Sequence, residues 1–249
     1  MTADRVPPLR LDERLLAGGA AESIAVARGL ILAGRVRVDG VRADKAGMKI
    51  GPGSEVRVVP KPHPYVSRGG VKLAAALDAF AIDPRGATAL DVGASTGGFT
   101  DCLLERGAAR VHAVDTGYGQ IDARLRADRR VVLHERTNAR GLDRSIVADP
   151  IDVAAVDVSF ISARLILPAV APLLSPEADV VVLVKPQFEA CRGEVRRGGI
   201  VEDSAVRARV VEEVSGEAAR LGLARRGVIE SPIRGARGNV EFLLALAKR

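Results

Sequence analysis

Apolar runs and helical stretches alternate along the last three quarters of the chain. Short runs rich in valine, leucine and alanine predict strands, and the more polar stretches between them predict helices. We expect strands at 88–92, 110–115, 131–134, 152–157, 179–184, 226–231 and 240–246, and helices at 71–81, 98–106, 163–174 and 204–221. Apolar strands separated by helices predict an α/β fold with a parallel sheet covered on both faces, which binds ligands at the carboxyl ends of its strands.

The first sixty residues have a different pattern, typical of a small α/β module. Ser23 is a candidate N-cap for a helix that runs to Leu32. The run RVRVDGVRA alternates around an Asp-Gly turn, which predicts a hairpin with Arg35 and Arg37 on one face. A further strand, SEVRVV, follows. The basic face is either a solvated edge that the arginines protect from aggregation or a surface for a polyanion.

A proline-rich segment, PKPHPYV, separates these two patterns. Three prolines in seven residues predict a semi-rigid linker. We therefore expect a small domain at 1–60, a linker at 61–67 and a larger domain at 68–249.

Composition and charge agree with two folded domains. The 249 residues are 47% hydrophobic and 27% charged, as in ordinary globular proteins. The net charge is +6, and residues 1–62, with eleven basic and seven acidic side chains, contribute +4 of it. This permits a polyanionic partner, although the base composition of a genome also explains an excess of arginine over the six lysines.

The cysteines and apolar tracts argue against a disulfide-rich, metal-binding, secreted or membrane-spanning protein. Cys102 and Cys191 form no CxxC pair or Cys/His cluster, so neither a disulfide framework nor a metal site is predicted. The N-terminal residues lack the apolar core of a signal peptide, and prolines interrupt the longest apolar tract, 165–174. We expect a cytoplasmic protein without a membrane-spanning segment.

A glycine-rich loop, DVGASTGGFT at 91–100, joins the first strand of the larger domain to a helix. Its glycines resemble a P-loop, but Phe99 stands where that loop needs lysine, which disfavours a triphosphate. Ser95 replaces the second glycine of the dinucleotide fingerprint, which disfavours a dinucleotide. A nucleoside-like cofactor without a phosphate chain remains. The candidate contacts in the loop are Gly93, Ser95, Thr96, Gly97 and Gly98.

Two carboxylates support this interpretation. Asp115 closes the second strand, where its side chain can accept hydrogen bonds from both ribose hydroxyls and would repel a phosphate. S-adenosylmethionine fits, because its adenosine carries a sulfonium and an amino acid instead of phosphates. Asp91 could then interact with the cationic part of this ligand. The alternative for Asp115 is an ordinary turn residue at a strand end.

Four further ionisable residues stand at the ends of elements. Lys185 ends the run VVVLV, and Lys72 starts the helix before the first strand. Asp157 ends a neighbouring strand, and Glu241 starts the last one. Lysines at the ends of buried strands are functional candidates. We expect these four groups to converge on one edge of the sheet.

The ordered motifs resemble a known family. SRGGVKL, DVGASTGGFT, the triplet NAR at 138–140, DVSF, VKPQFE and GNVEF are similar to the hemolysin A (TlyA) family of ribosomal RNA 2′-O-methyltransferases. RLDERLL, the run S-x3-A-x2-L-I-x2-G-x-V-x-V-D-G and the later S-x-V-x-V resemble the RNA-binding domain that a small-subunit ribosomal protein shares with many pseudouridine synthases. The resemblance covers roughly residues 9–248.

This resemblance implies a Rossmann-like catalytic domain of the heat-shock (FtsJ-like) type. It implies transfer of a methyl group from S-adenosylmethionine to the ribose of a cytidine in 16S rRNA, 23S rRNA or both. The family's Lys-Asp-Lys-Glu tetrad falls on Lys72, Asp157, Lys185 and Glu241. Two roles for Lys185 stay open, because a neutral amine could accept the proton of the hydroxyl, whereas an ammonium could orient it and stabilise developing negative charge.

The resemblance also implies roles for the NAR triplet at the cofactor and for several arginines at the RNA. Asn138 and Arg140 of the triplet are expected at the cofactor, with an exposed loop as the alternative. Ribosomal RNA or a ribosomal subunit is the expected partner, and no obligate protein partner is inferred. A second basic segment, FEACRGEVRRGG at 188–199, follows Lys185. Because neither this loop nor the basic hairpin offers an aromatic platform, we expect recognition through folded shape and phosphate. The expected RNA contacts are Arg10, Arg35, Arg37, Arg68, Arg192, Arg196 and Arg197.

Three other functions compete with this one. A non-catalytic RNA-binding or ribosome-assembly protein could retain the fold of a methyltransferase without its activity. The historical name of the family suggests a membrane-lytic protein. A base methyltransferase is the nearest enzymatic rival, but DVSF stands where the N-P-P-Y type of loop is expected in many amine methylators.

Overall fold

The chain folds as two compact units that divide in sequence between Pro64 and Tyr65. The computed structural model describes residues 7–32, 34–60, 63–235 and 238–248. Residues 61 and 62, the first two of the expected linker, lie outside the described residues.

The N-terminal unit contains two helices, a two-stranded sheet and a three-stranded sheet. In chain order its elements are β1 (Leu9–Arg10), α1 (Leu11–Ala17), α2 (Ile24–Leu32), β2 (Val36–Val38), β3 (Val41–Arg42), β4 (Lys49–Ile50) and β5 (Val56–Val58). β1 pairs with β4, and β2 lies between β3 and β5, with every pair antiparallel. The expected helix begins beside Ser23, whose hydroxyl accepts a hydrogen bond from the backbone N–H of Val26 at 3.2 Å.

Alternation along β2 sets the two faces of the three-stranded sheet. Val36 and Val38 are buried in the core of this unit with Leu11, Leu15 and other apolar residues of its helices. Arg37, between the two valines, is exposed. The hairpin predicted from RVRVDGVRA is therefore confirmed, and its arginine faces away from the core.

The C-terminal unit is built on one seven-stranded sheet. In chain order its elements are α3 (Gly69–Ala79), β6 (Thr88–Val92), α4 (Gly98–Glu105), β7 (Arg110–Val114), α5 (Ala123–Ala127), β8 (Val131–His134), β9 (Ile151–Val156), α6 (Leu167–Val170), β10 (Leu174–Val184), α7 (Pro186–Glu189), α8 (Ser204–Arg220), β11 (Leu223–Glu230) and β12 (Phe242–Lys248). The strand order is β11-β12-β10-β9-β6-β7-β8. All seven expected strands are present, within a few residues of their expected ends.

The prediction of a parallel sheet is wrong for strand β12. Strands β8, β7, β6, β9 and β10 are parallel, whereas β12 pairs antiparallel with both β10 and β11. The physical reason is the short connection of residues 231–241 between β11 and β12. A parallel neighbour needs a longer crossover, usually through a helix, whereas a short connection between adjacent strands reverses the chain.

Apolar residues alternate between the two faces of the sheet. Leu90, Val156 and Val182 belong to the cluster on one face, and their neighbours Ala89, Ala155 and Val181 belong to the cluster on the other. Because both faces are covered, the central strands are apolar almost throughout, as the sequence predicted.

The helix expected at 163–174 is wrong. The segment forms a 3-10 turn at 163–165, the single turn α6, and a second 3-10 turn at 171–173. Pro168 and Pro172 have no N–H to donate, so a continuous helix cannot form through them. No helix within the described ranges has the length and apolar character needed to cross a membrane.

Candidate active site

Ionisable residues gather at one edge of the large sheet. Asp115, Asp157 and Lys185 directly follow β7, β9 and β10, whose carboxyl ends share this edge. Glu241 directly precedes β12 and reaches the same edge, because β12 is antiparallel and its Phe242 is paired with Val184 of β10. The reversed last strand thus explains why a residue at a strand start joins residues at strand ends.

Lys72 and Glu241 form the first of two lysine–carboxylate pairs. Nζ of Lys72, on α3, lies 2.5 Å from Oε2 of Glu241. The side chains are 12% and 3% exposed, so the pair is largely shielded from water. A Cβ at Gly235 would collide with the Glu241 carboxylate, which explains why glycine occupies this position. An isolated carboxylate at this depth would be costly to bury, and the ammonium compensates for it.

Lys185 and Asp157 form the second pair. Nζ of Lys185 lies 2.6 Å from Oδ1 of Asp157 and donates a hydrogen bond to Oγ of Ser159 at 2.8 Å. The Lys185 side chain is 10% exposed and that of Asp157 is 21% exposed. The four residues expected to converge are therefore arranged as two neutralised pairs at one edge.

The glycine-rich loop approaches the strand end that carries Asp157. Gly93 has φ +91°, and a Cβ there would collide with the carbonyl oxygen of Asp157. Ser95 also has a positive φ, +49°, which is unusual for a residue with a side chain. The absence of a Cβ at Gly93 thus lets the loop lie directly against the end of β9.

The other glycines of the loop serve the packing of α4. Gly97 has φ +94° and directly precedes α4, and a Cβ there would collide with the side chain of Leu125. A Cβ at Gly98 would collide with Oγ of Ser67. Phe99, which stands where a P-loop needs lysine, is buried with 3% exposure.

Asp115 is held by two backbone N–H groups. Its Oδ2 accepts from Ser95 N at 2.8 Å, and its Oδ1 accepts from Gly117 N at 2.6 Å. Each carboxylate oxygen has a further lone pair that can accept from a ligand hydroxyl. The backbone of the glycine-rich loop therefore orients this carboxylate.

Two cavities lie on either side of the loop and share Gly93, Ser95 and Asp157. The larger, here the Asp115 cavity, has a volume of about 540 Å³ and is also lined by Asn138 and Arg140. The smaller, here the Lys72 cavity, has a volume of about 240 Å³. Its lining includes Ser67, Arg68, Gly69, Lys72, Thr96, Gly98 and Gly235.

Asn138 and Arg140 are exposed residues that line the Asp115 cavity. Oδ1 of Asn138 accepts a hydrogen bond from Arg140 N at 3.1 Å and thereby caps the 3-10 turn at 139–141. The two alternatives for this triplet, a cofactor contact and an exposed loop, are compatible in this geometry.

Asp91 is fully buried in β6 beneath the loop. Its Oδ2 accepts from the backbone N–H of Thr100 at 2.9 Å and from the Thr100 hydroxyl at 2.6 Å. Its Oδ1 has no hydrogen-bond partner among the described residues. Burial, opposed by the Thr100 hydrogen bonds and assisted by the charges of Asp157 and Asp115, raises the pKa of Asp91 to about 7.

Sequence reasoning missed Phe160, which lines the Asp115 cavity. Its side chain is 91% exposed, more than any other large hydrophobic side chain in the described ranges. Its φ is +66°, and its ring centroid lies 5.3 Å from that of Phe188. The motif DVSF contains this residue, but nothing in its pattern shows that the ring points outward. An aromatic platform is therefore present beside the cavity, outside the two basic segments for which none was expected.

The arginines of the C-terminal domain that were expected to contact RNA do not lie together in the structure. Arg68 lines the Lys72 cavity. Arg192 lies in a 3-10 turn, Arg196 is ion-paired with Glu202 at 3.1 Å, and Arg197 is exposed. These last three belong to an exposed loop and are absent from the lining of both cavities described here.

In the N-terminal unit, arginines form a ladder across the exposed face of the three-stranded sheet. Arg37 is paired in register with Arg42 of β3 on one side and with Arg57 of β5 on the other. Arg35 directly precedes β2, and its Nε donates to the carbonyl of Val59 at 3.0 Å. Like charges directly opposite each other destabilise a sheet, so this ladder has a cost that an anion would relieve.

Arg10 contributes to the fold of the N-terminal unit. Its guanidinium donates to both oxygens of the buried Asp12, at 3.0 and 2.9 Å. Arg28 also bonds Asp12, and the hydrogen bond from Arg10 holds the pKa of this carboxyl well below its ordinary value. The Arg10 side chain is still 44% exposed, so it remains accessible to a ligand.

Comparison with known proteins assigns a family to each unit. The pattern of the FtsJ-like methyltransferase family matches residues 65–248, and that of the S4 domain matches residues 9–56. The chain is 48% identical over 238 residues to the 16S/23S rRNA (cytidine-2′-O)-methyltransferase TlyA of Mycobacterium tuberculosis (strain ATCC 25618 / H37Rv), covering 95% of this chain and 89% of the relative. It is 42% identical to Hemolysin A of Brachyspira hyodysenteriae, over 94% of this chain and 98% of that protein. A solved structure of a candidate hemolysin from Streptococcus thermophilus matches with a TM-score of 0.76 and 42% identity, over 97% of this chain and 89% of that one.

Proposed function

The chain belongs to the FtsJ-like methyltransferase family, and from this we propose that it transfers a methyl group from S-adenosylmethionine to the 2′-hydroxyl of a cytidine in ribosomal RNA. The observation that carries the proposal is the pair of lysine–carboxylate contacts, Lys72 with Glu241 and Lys185 with Asp157, at the strand edge beside the Asp115 cavity. A family fold alone would not imply retained activity, but this arrangement supports it.

The residues around the glycine-rich loop fit S-adenosylmethionine. The oriented Asp115 carboxylate suits the two ribose hydroxyls, and the cavity it lines is of a size that small ligands occupy. The buried Oδ1 of Asp91, which has no hydrogen-bond partner among the described residues, suits a cationic ligand, because positive charge nearby stabilises the ionised carboxylate. Asp91 lines neither cavity, so it would act through its charge and not by direct contact. Asn138 and Arg140 complete the wall of the same cavity. When bound, this cofactor supplies a methyl group on a positively charged sulfur.

Lys185 is the residue that would act on the hydroxyl. Asp157 and Ser159 hold its ammonium at the edge of the sheet, and Asp157 itself lines both cavities. We propose that Lys185 donates a hydrogen bond to the ribose O2′, orients it, and stabilises the negative charge that develops on this oxygen as its proton passes to water. Lys72 and Glu241 would keep the neighbouring wall neutral and fixed.

Phe160 would present a surface to the base of the target nucleotide. Sequence-specific RNA recognition uses unstacked bases that rest on aromatic side chains, and enzymes that modify nucleotides commonly take the target out of its stack. The exposed ring, supported by Phe188, lies where such a base would be needed, beside the cavity that contains Asp157.

The N-terminal domain, expected at residues 1–60, would dock the enzyme on RNA. The S4 match and the ladder of Arg37, Arg42 and Arg57 support this role, with Arg10 and Arg35 nearby in sequence. Its contacts would be to phosphate, which position a protein without reading the sequence. The proposed partners are ribosomal RNA or ribosomal subunits, and the proposed location is the cytoplasm, where these are found.

The 16S and 23S substrates are taken from the name of the Mycobacterium tuberculosis relative. We propose a cytidine in one or both of these RNAs for this chain. The test is methyl transfer from labelled S-adenosylmethionine to purified 30S and 50S subunits, followed by mapping of 2′-O-methylated nucleotides, with Lys185→Ala as the blank. Label on a cytidine ribose is the expected result. Label on a base, or binding of both ligands without any transfer by the wild-type protein, would overturn the proposal.

A further inference from the structure

Glu189 is a buried carboxylate outside both cavities. Its side chain is 2% exposed, and buried glutamates are rare unless they are fully partnered. It ends α7, the single helical turn that directly follows Lys185. The residue therefore stands one turn beyond the proposed catalytic lysine.

Both oxygens of Glu189 bind the segment that follows Phe160. Oε1 accepts from Ala163 N at 2.7 Å, and Oε2 accepts from the Ser162 hydroxyl at 2.5 Å. The guanidinium of Arg164 adds a contact to Oε2 at 3.2 Å and a second one to the Glu189 carbonyl at 3.2 Å. Three consecutive residues, 162–164, are thus fixed to one side chain.

The same turn also supports Phe160 directly. Phe188 precedes Glu189, and its ring centroid lies 5.3 Å from that of Phe160. α7 therefore holds the segment 160–164 at two points, through a ring contact with Phe160 and a carboxylate contact with residues 162–164. Since α7 is continuous with Lys185, it links the residue proposed for the hydroxyl to the residue proposed for the base.

Phe160 needs such support because its own conformation is unfavourable. A positive φ is unfavourable for an aromatic residue and persists only where the surrounding structure imposes it. A ring that is 91% exposed gains little from burial in return. The restraint has to come from the flanking residues, and Glu189 is the group that fixes those on the carboxyl side.

We propose that Glu189 is a positioning residue, which acts through residues 162–164 to hold the Phe160 ring where it receives the target base. The inference rests on the proposed function, since it assigns a role in that site to a residue that would touch neither substrate nor cofactor. Loss of this restraint would let Phe160 leave its unfavourable conformation. RNA engagement would then weaken, while the Asp115 carboxylate would stay in place, because the backbone N–H groups of Ser95 and Gly117 hold it.

The experiment compares Glu189→Gln, Phe160→Ala and the double variant with the wild-type full-length protein. Glutamine keeps the size of the side chain and one acceptor oxygen, but it places an NH₂ group where a carboxylate oxygen accepts from Ser162 and Arg164. We expect the KM for ribosomal subunits to rise on the order of tenfold in either single variant, because small displacements of positioning groups have large effects. The dissociation constant for S-adenosylmethionine should be unchanged in Glu189→Gln, because Glu189 is absent from the lining of both cavities.

The double variant separates positioning from general structural support. If Glu189 acts through Phe160, Glu189→Gln has no further effect on KM in the Phe160→Ala background. Glu213→Gln is the matched control, because Glu213 is the other carboxylate bound to Arg164, at 3.1 Å, and does not contact residues 162 or 163. It should leave KM unchanged.

Three results would overturn the inference: an unchanged KM in Glu189→Gln, an additive effect in the double variant, or an equal change in Glu213→Gln. If Glu189→Gln fails to fold, Ser162→Ala removes one of its contacts without leaving a buried charge, and a KM equal to that of the wild type would then contradict the role. A wild-type protein that binds both ligands but transfers no methyl group defeats the proposed function separately. The RNA dissociation constants of the same variants would still decide the role of Glu189.

Discussion

Nζ of Lys185 lies 2.6 Å from Oδ1 of Asp157, at the meeting point of two parallel strands. The second lysine of the site, Lys72, has its own carboxylate in Glu241. Each ammonium is therefore compensated separately. Because the two pairs do not share a partner, removal of one lysine leaves the other pair intact.

Replacement of Lys185 should abolish methyl transfer without loss of cofactor binding. In Lys185→Ala we expect kcat to fall by at least about 10²-fold, because the hydroxyl loses the group that orients it and stabilises its charge. The dissociation constant for S-adenosylmethionine, measured by calorimetry, should change less than about twofold, since Lys185 itself is absent from the lining of the Asp115 cavity. Full activity in this variant would refute the assignment.

Lys185→Arg distinguishes the two roles that the sequence left open. Arginine keeps a positive charge and N–H donors, but it cannot give up its proton at neutral pH. If the charged lysine orients the hydroxyl, as we propose, the arginine variant should retain clearly more activity than Lys185→Ala in single-turnover assays. Equal loss in both variants would instead favour a neutral amine that accepts the proton.

Asp115→Ala should weaken cofactor binding more than the loss of any other single side chain of the Asp115 cavity. Hydrogen bonds to a charged group contribute about 1.5–3 kcal/mol each, which corresponds to roughly a 10- to 100-fold rise in the dissociation constant for each ribose hydroxyl that loses its acceptor. Asp128→Ala is the control, because Asp128 is paired with Arg130 and is absent from the lining of this cavity. An unchanged affinity in Asp115→Ala would contradict the ribose contact.

The sequence predicted the seven strands and the positions of Lys185, Asp157 and Asp115, because strand ends and glycine loops are local features. It could not predict that β12 is reversed, which depends on which strands become neighbours. That reversal is what brings Glu241, at the start of a strand, beside Lys185, at the end of one. We expected the four ionisable groups to converge from their places at element ends, but the pattern of the sequence does not show the strand reversal that this requires for Glu241. The outward ring of Phe160 was missed for a related reason: burial is a property of the folded chain, and an isolated phenylalanine is normally assigned to the core.

Cofactor binding should depend on pH through Asp91. Burial raises its pKa to about 7, so this carboxyl is mostly protonated below pH 7 and mostly ionised above it. A cationic ligand favours the ionised form, and proton competition should therefore weaken S-adenosylmethionine binding as the pH falls from 8 to 6, by up to about tenfold per unit below the pKa.

Asp91→Asn provides the comparison for this titration. Asparagine keeps an acceptor for the Thr100 N–H but carries no titrating group, so the pH dependence that remains in the variant belongs to the ligand and to other residues. We expect weaker binding at pH 8 and a flatter profile between pH 6 and 8. Identical profiles for the variant and the wild type would show that Asp91 does not respond to the cofactor.

The arginine ladder of the N-terminal unit should make the affinity for ribosomal RNA depend on salt concentration. If Arg37 contacts a phosphate, Arg37→Gln should reduce the slope of log K against log salt for ribosomal RNA by roughly 1. Arg225→Gln removes an equal charge from a guanidinium already bound to Glu212 and should leave the slope unchanged. The folded protein should not lose stability in Arg37→Gln, because the change removes two like-charge pairs, with Arg42 and with Arg57, and this offsets the loss of the exposed hydrogen bond from Arg37 to the carbonyl of Gly40. A lower melting temperature with an unaltered salt slope would mean that the ladder belongs to the fold and not to RNA binding.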